Sequence, residues 1–263
     1  MLKKILFSTS LLLAAGCATV PITGRRTLSL VSDSQMNTLA VTQYRQTLST
    51  ARLSTNAADV ALVRRVGQRV QRAVEQYFRQ QGQSSQLDGY AWEFNLIDDP
   101  KTVNAWCMPG GKVAVYTGIL PLTRDEAGLA VVLGHEISHA VAKHGSERMS
   151  DALVVQLGGA AIQTALSQDP AKTNGLFNQA IGATGQLGLL AFGRRQESEA
   201  DHLGLIFMAM AGYNPSAAIP FWQRMAAQSQ GGAPEFLSSH PADATRIADI
   251  ERLLPEAQTY YKK

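Results

Sequence analysis

Between Asn56 and Gln81 the apolar residues Val60, Val63, Val66, Val70, Val74 and Tyr77 return every three or four positions, which is the spacing of one helix face. Arg64, Arg65, Arg69 and Arg72 fall on the other sides, so the pattern predicts a packing helix with a solvated basic face. The period then changes. Trp92, Phe94 and Leu96 alternate with Glu93 and Asn95 and stop at Asp98, Asp99 and Pro100, predicting a half-buried strand closed by a turn. Pro109, Gly110 and Gly111 predict a tight turn that feeds a second short strand through Val113, Val115 and Tyr116 to Gly118. After Pro121 the pattern becomes helical. Thr123 with Glu126 three residues on forms a capping-box pattern, and the helix is expected from about Arg124 to about Lys143. Asp151 to Phe192 is rich in Ala, Gly, Leu and Gln, and Gln156, Gln163, Ser167, Asp169 and Lys172 interrupt it, so no apolar run is long enough to span a bilayer. That stretch is either a packed connecting helix pair or a lid over a cleft.

Composition narrows the picture. A chain of 263 residues holds one large or two small domains, and it shows no repeat or low-complexity tract. A formal charge of +3 gives no electrostatic footprint for nucleic acid, so no nucleic-acid partner is expected. Met1 to Gly16 reads as a secretory signal, with Lys3 and Lys4 ahead of the apolar run Ile5 to Leu13 and small residues before Cys17. The run LLLAAGC resembles a bacterial lipobox, which makes Cys17 the acylated N-terminus and leaves Cys107 without an internal disulfide partner. Removing Lys3 and Lys4 takes the formal charge from +3 to +1, so the expected membrane contact is made by N-terminal acyl chains and not by basic residues. Ala18 follows the cysteine where Asp would signal retention, so the expected place is the bacterial outer membrane, facing the periplasm. Ala18 to Arg26 reads as an extended tether. The expected organisation is a signal over 1–16, a tether and N-terminal segment over 17–50, and a catalytic domain over 51–263.

The chemistry lies on the capped helix. His135, Glu136, Ile137, Ser138 and His139 form H-E-x-x-H, and positions i and i+4 share a helix face, so both imidazoles can meet one zinc ion while Glu136 handles a water. Catalytic zinc needs three protein ligands and an exchangeable water whose pKa the metal lowers towards 7. Downstream, Glu197 and Asp201 are again i and i+4, whereas Glu199 points roughly the opposite way. Glu197 is therefore the better third ligand and Asp201 the better partner behind a ligand. His144 is the alternative third ligand. It comes five residues after His139 rather than six, with Ala142 where a turn would be needed, and it reads instead as a helix C-terminal histidine with Gly145 ending the helix.

These segments together resemble a known family, the zinc metallopeptidases of family forty-eight that include the HtpX, BepA, LoiP and Oma types and the CAAX prenyl endopeptidases. The resemblance covers roughly Val60 to Leu254 and rests on V-N-A-W and P-G-G within Val103 to Gly111, V-A-V-Y-T-G at Val113 to Gly118, and L-G-H-E-I-S-H-A-V-A-K-H at Leu133 to His144. It continues through R-R-Q-E-S-E-A-D at Arg194 to Asp201 and H-P-A-D-A-T-R-I at His240 to Ile247. It implies an α+β, predominantly helical fold, a gluzincin-like zincin with a small β-sheet and the H-E-x-x-H helix at its centre. It also implies one zinc per chain held by His135, His139 and Glu197, with Glu136 as acid and base and Asp201 orienting a ligand. His240 is then the candidate for a fourth ligand or gate, and Arg246 for an oxyanion or structural role. Zincin substrates generally add as a strand, and Val113, Val115 and Thr117 are the expected edge. The expected activity is endoproteolysis of unfolded or misassembled envelope proteins, with outer-membrane assembly machinery as a partner. A non-proteolytic chaperone or assembly adaptor on the same fold is the competing reading, and an intact Glu136 speaks against it.

Overall fold

The computed structural model describes residues 17–20, 23–157, 193–228, 235–240 and 244–262. The chain enters through an antiparallel hairpin in which β1 (Cys17–Thr19) pairs with β2 (Arg26–Leu28), Cys17 opposite Leu28. The expected extended tether over Ala18 to Arg26 is thereby corrected: Val20 lies in the main apolar core, and Arg25 makes ion pairs with Glu147 and Glu199. Helix α1 (Asp33–Thr50) follows, started by a reciprocal capping box between Ser32 and Gln35. Its buried residues are Met36, Ala40 and Tyr44, a narrow stripe on an otherwise polar helix. Residues 1–16, the expected signal, lie outside the described residues, as does most of the expected lid, 158–192.

Helix α2 (Ala57–Gln80) begins at Asn56, whose side chain accepts hydrogen bonds from the backbone N–H groups of Ala58 and Asp59. It buries Val63, Val66, Val70, Val74 and Tyr77 as its spacing predicts. Gly67 lies on the same face because Phe94 of the sheet leaves no room there for a Cβ. The sheet has three strands, β3 (Glu93–Ile97), β4 (Ala105–Met108) and β5 (Lys112–Tyr116), in the order β3-β5-β4. β5 runs parallel to β3 and antiparallel to β4, to which Gly110 and Gly111, both at φ +78°, connect it. The expectation that Val113, Val115 and Thr117 form a free edge is therefore wrong. β5 is the central strand, Val113 and Val115 are fully buried, and Thr117 has already left the strand for a helical turn. The edge next to β5 on the far side from β3 is β4.

Short helix α3 (Leu120–Thr123) precedes the site helix α4 (Glu126–Val141). The start of α4 is set by Asp125, whose carboxylate accepts from the Gly128 N–H, and not by Thr123, which ends α3; Arg124 makes the reversal at φ +66°. Every residue of α4 from Gly128 to Val141 is buried. Lys143, at φ +60°, then turns the chain directly into α5 (His144–Leu157), so His144 opens a helix and does not close one. After the undescribed stretch come α6 (Arg194–Met210), α7 (Ala218–Gln228), α8 (Glu235–Ser239) and α9 (Ala244–Tyr260). The fold is the expected predominantly helical α+β arrangement, and among the described residues no helix is long and apolar enough to cross a membrane.

Helices α4 and α6 cross at two glycines. A Cβ on Gly134 would stand 2.8 Å from the Gly204 carbonyl oxygen, and one on Gly204 would stand 2.9 Å from the His135 nitrogen. The Gly134→Ala variant is expected to lose about 1–3 kcal/mol through overpacking, more than the roughly 0.5–1 kcal/mol that alanine gains over glycine within a helix. Chemical denaturation checks this, and a variant as stable as the parent would show that the two backbones do not meet there.

Candidate metal centre

The i, i+4 pair on α4 and the first turn of α6 bring three ligand atoms together, because the glycine crossing lets the two helices approach without intervening side chains, and His240, just past α8, adds a fourth. His135, His139, Glu197 and His240 each offer one atom, all within 4.8 Å of one another, and all four residues are buried. His135 Nε2 lies 3.0 Å from His139 Nε2, and Glu197 lies 3.3 Å from His139 Nε2 and 3.5 Å from His135 Nε2. His240 Nδ1 is 2.9 Å from Glu197 Oε1 and 3.1 Å from His135 Nε2. Ligand atoms sharing one tetrahedral zinc ion stand about 3.3 Å apart, so the two nitrogens and the carboxylate fit such an ion. Glu136 borders the same space. Its Oε1 is buried without a hydrogen bond, with His240 Nε2 at 3.5 Å, and burial raises its pKa above the usual carboxylate value.

Behind His135 stands a carboxylate held by an arginine. Asp201 Oδ1 lies 2.9 Å from His135 Nδ1, and Arg246 donates to both Asp201 oxygens at 2.7 and 2.8 Å. Arg246 also reaches Glu197 at 2.8 Å and stacks its guanidinium over the Trp222 ring, 3.6 Å from the centroid. Burial opposes ionisation of Asp201, but Arg246 and His135 hold its pKa below the usual value. For Glu197 the same opposition is overcome by His135, His139 and His240. Burial and Arg246 likewise resist protonation of His135, yet Asp201 and Glu197 raise its pKa to about 9. The pocket therefore calls for positive charge between these groups. The second histidine is backed differently: His139 Nδ1 lies 2.9 Å from His144 Nδ1, and His144 Nε2 lies 3.2 Å from Glu199 Oε2.

The structure thus brings together Glu136, His135, His139, Glu197, Asp201, His240 and Arg246, and separates Val113, Val115 and Thr117 from any free edge. It adds His144 and Glu199. The fifth-residue spacing that excluded His144 as a ligand places it against the ring nitrogen of His139 that faces away from the cluster, and the opposite direction expected of Glu199 points at His144. A cavity opens beside Glu136 and His139, lined by all four residues of β4 and by Tyr116 and Arg148. Its free thiol, Cys107, is kept protonated by burial. His240 is placed by α8, where Phe236 N–H donates to the Val103 carbonyl and the Asn104 side chain donates to Glu235.

Comparison with known proteins agrees with this geometry. The model of peptidase family M48 matches residues 65–254. The mitochondrial metalloendopeptidase OMA1 of Schizosaccharomyces pombe is 41% identical over 176 residues, which is 66% of this chain and 50% of that protein. Its namesake in Saccharomyces cerevisiae is 37% identical over 187 residues, 68% of this chain and 52% of that protein. The β-barrel assembly-enhancing protease of Escherichia coli is 28% identical over 165 residues, 60% of this chain and 33% of that protein. The chain spans about half the length of these two mitochondrial relatives. Likeness to mitochondrial proteins, at higher identity and over more of the chain than to the bacterial one, overturns the expected outer-membrane, periplasm-facing placement.

Arg246 is the test of the charge balance. With methionine in its place, Asp201 and Glu197 lose the buried guanidinium they share, and the metal-free protein is expected to lose about 3–5 kcal/mol. Urea denaturation with and without zinc checks this, and a loss below about 1 kcal/mol would show that other groups carry the compensation.

Proposed function

Because the chain belongs to peptidase family M48, we propose that it is a zinc-dependent endopeptidase in which His135, His139 and Glu197 hold the metal and Glu136 moves the proton. The observation that supports this most is the convergence of the ligand atoms within 4.8 Å at the inner end of a cavity that Glu136 also lines. A bound zinc ion supplies Lewis-acid polarisation of the scissile carbonyl and makes water acidic enough to deprotonate near neutral pH. Glu136, its pKa raised by burial, takes the proton of the attacking water and returns it to the leaving amine. Asp201 accepts from His135 Nδ1–H and so leaves Nε2 free as the ligating atom. Arg246 is engaged with Asp201 and Glu197, so we assign it to holding those carboxylates and not to the oxyanion.

A peptide strand adding along β4 would meet the cavity at Ala105 to Met108, and main-chain pairing there would give affinity with little sequence preference. That suits unfolded or misassembled protein substrates, and quality-control proteolysis is the role we infer. His240 stands within the ligand cluster beside Glu136, where it competes with water for the same space, so we assign it as the gate. Its withdrawal with α8 has to break the Phe236–Val103 hydrogen bond and the Asn104–Glu235 contact at the head of β4.

Glu136→Gln is expected to keep stoichiometric zinc and to lose at least about 10²-fold in casein cleavage; metal analysis beside a cleavage assay decides, and cleavage at the parent rate would overturn the peptidase reading. Chelation should abolish cleavage and added zinc should restore it. His240→Ala is expected to raise cleavage, whereas an unchanged or lower rate would remove the gate.

A further inference from the structure

The entry hairpin reaches the metal centre through a continuous line of charged and aromatic side chains. Arg25, on the loop between β1 and β2, presents its guanidinium to two carboxylates at once. Nη1 and Nη2 donate to the two oxygens of Glu147 at 2.6 and 2.8 Å, and Nε and Nη2 donate to Glu199 at 2.8 to 3.0 Å. Thr23 of the same loop donates its hydroxyl to Glu199 Oε1 at 2.7 Å. Gln196 donates to Glu147 at 2.8 Å, which ties the first turn of α6 to α5. From Glu199 the line continues to His144 Nε2 at 3.2 Å and from His144 Nδ1 to His139 Nδ1 at 2.9 Å.

We propose that Arg25 is a positioning residue for the metal ligand His139, acting through Glu199 and His144. The proposal rests on the reading of His139 as a ligand and adds to it how that imidazole is held. The proton positions follow from the donors and acceptors. An ionised Glu199 only accepts, so His144 must donate from Nε2, which leaves Nδ1 as an acceptor. His139 must then carry its proton on Nδ1, and its Nε2 lone pair faces the ligand cluster. Loss of the Glu199 carboxylate, or of the guanidinium that fixes it, frees His144 to reverse. A reversed His144 donates from Nδ1, forcing the His139 proton onto Nε2, where a metal cannot bind. Residues of the entry hairpin thereby set the tautomer of a ligand on α4, more than a hundred positions further along the chain.

The test measures zinc affinity by competition with a chromogenic chelator, so it does not depend on peptidase activity. Arg25→Ala and the near-isosteric Glu199→Gln are each expected to bind zinc about 10–100-fold more weakly, and the double variant is expected to be no weaker than the poorer single one. Arg25→Lys, which cannot span both carboxylates in the same fork, should fall between. Added guanidinium should restore the affinity of Arg25→Ala and leave that of Glu199→Gln unchanged, a response that a general loss of packing would not give. Cobalt substitution adds a second readout, because a displaced His139 changes the ligand-field spectrum of both variants alike. Parental zinc affinity in Glu199→Gln, or additive losses in the double variant, would overturn the proposal. Parental affinity in His139→Ala would instead overturn the metal assignment beneath it, so the two failures are distinguishable.

Discussion

Charge that must be balanced away from water is the constraint on which this structure turns. Glu136, Glu147, Glu197, Glu199 and Asp201 gather behind and around the two helical histidines, and Arg25, Arg148 and Arg246 are the guanidiniums that face them. Carboxylates buried at this density are tolerated only when paired, so the elements carrying their partners cannot drift apart. The entry hairpin, α5, α6 and α9 are tied to one another by these pairs as much as by apolar contact.

The two helical histidines are supported by the same logic with different parts. His135 meets a carboxylate directly, and that carboxylate is clamped by Arg246 from α9. His139 meets one at a remove, through His144, and that carboxylate is clamped by Arg25 from the hairpin. One arginine comes from each end of the chain. The histidine helix is thus gripped from opposite ends of the sequence, and the closeness of α4 and α6 at Gly134 and Gly204 is what lets Glu197 enter between the two supports.

Local patterns made much of this legible. The valine stripe of α2, the alternation of β3, the double-glycine turn and the H-E-x-x-H helix are each written within a few residues, and each stands where its pattern places it. What escaped depends on distant partners. Helix α1 buries only Met36, Ala40 and Tyr44, too narrow a stripe to register as an apolar face. β4 is four residues long and is recognisable as a strand only beside β5, so the local pattern of β5 reads as an edge although it is the centre of the sheet. Arg25 has the local pattern of a tether, because nothing around it in sequence announces Glu147 or Glu199. The direction of Glu199 away from Glu197 is legible from helix geometry, but its target is not, since the local pattern around His144 suits the end of one helix and it begins the next.

Placement of His240 shows how the sheet and the charged centre act on one another. Helix α8, which carries this imidazole into the ligand cluster, bonds to Val103 and Asn104, immediately before the strand that lines the cavity. Phe236 is fully buried and packs against both Trp222 and His240. Trp222 in turn lies beneath the Arg246 guanidinium that clamps Asp201 and Glu197. A displacement of α8 therefore changes what covers the strand, what fills the space beside Glu136 and what packs on the arginine behind the ligands. The contacts of this five-residue helix thus adjoin both the strand that lines the cavity and, through Trp222, the arginine that clamps Asp201 and Glu197.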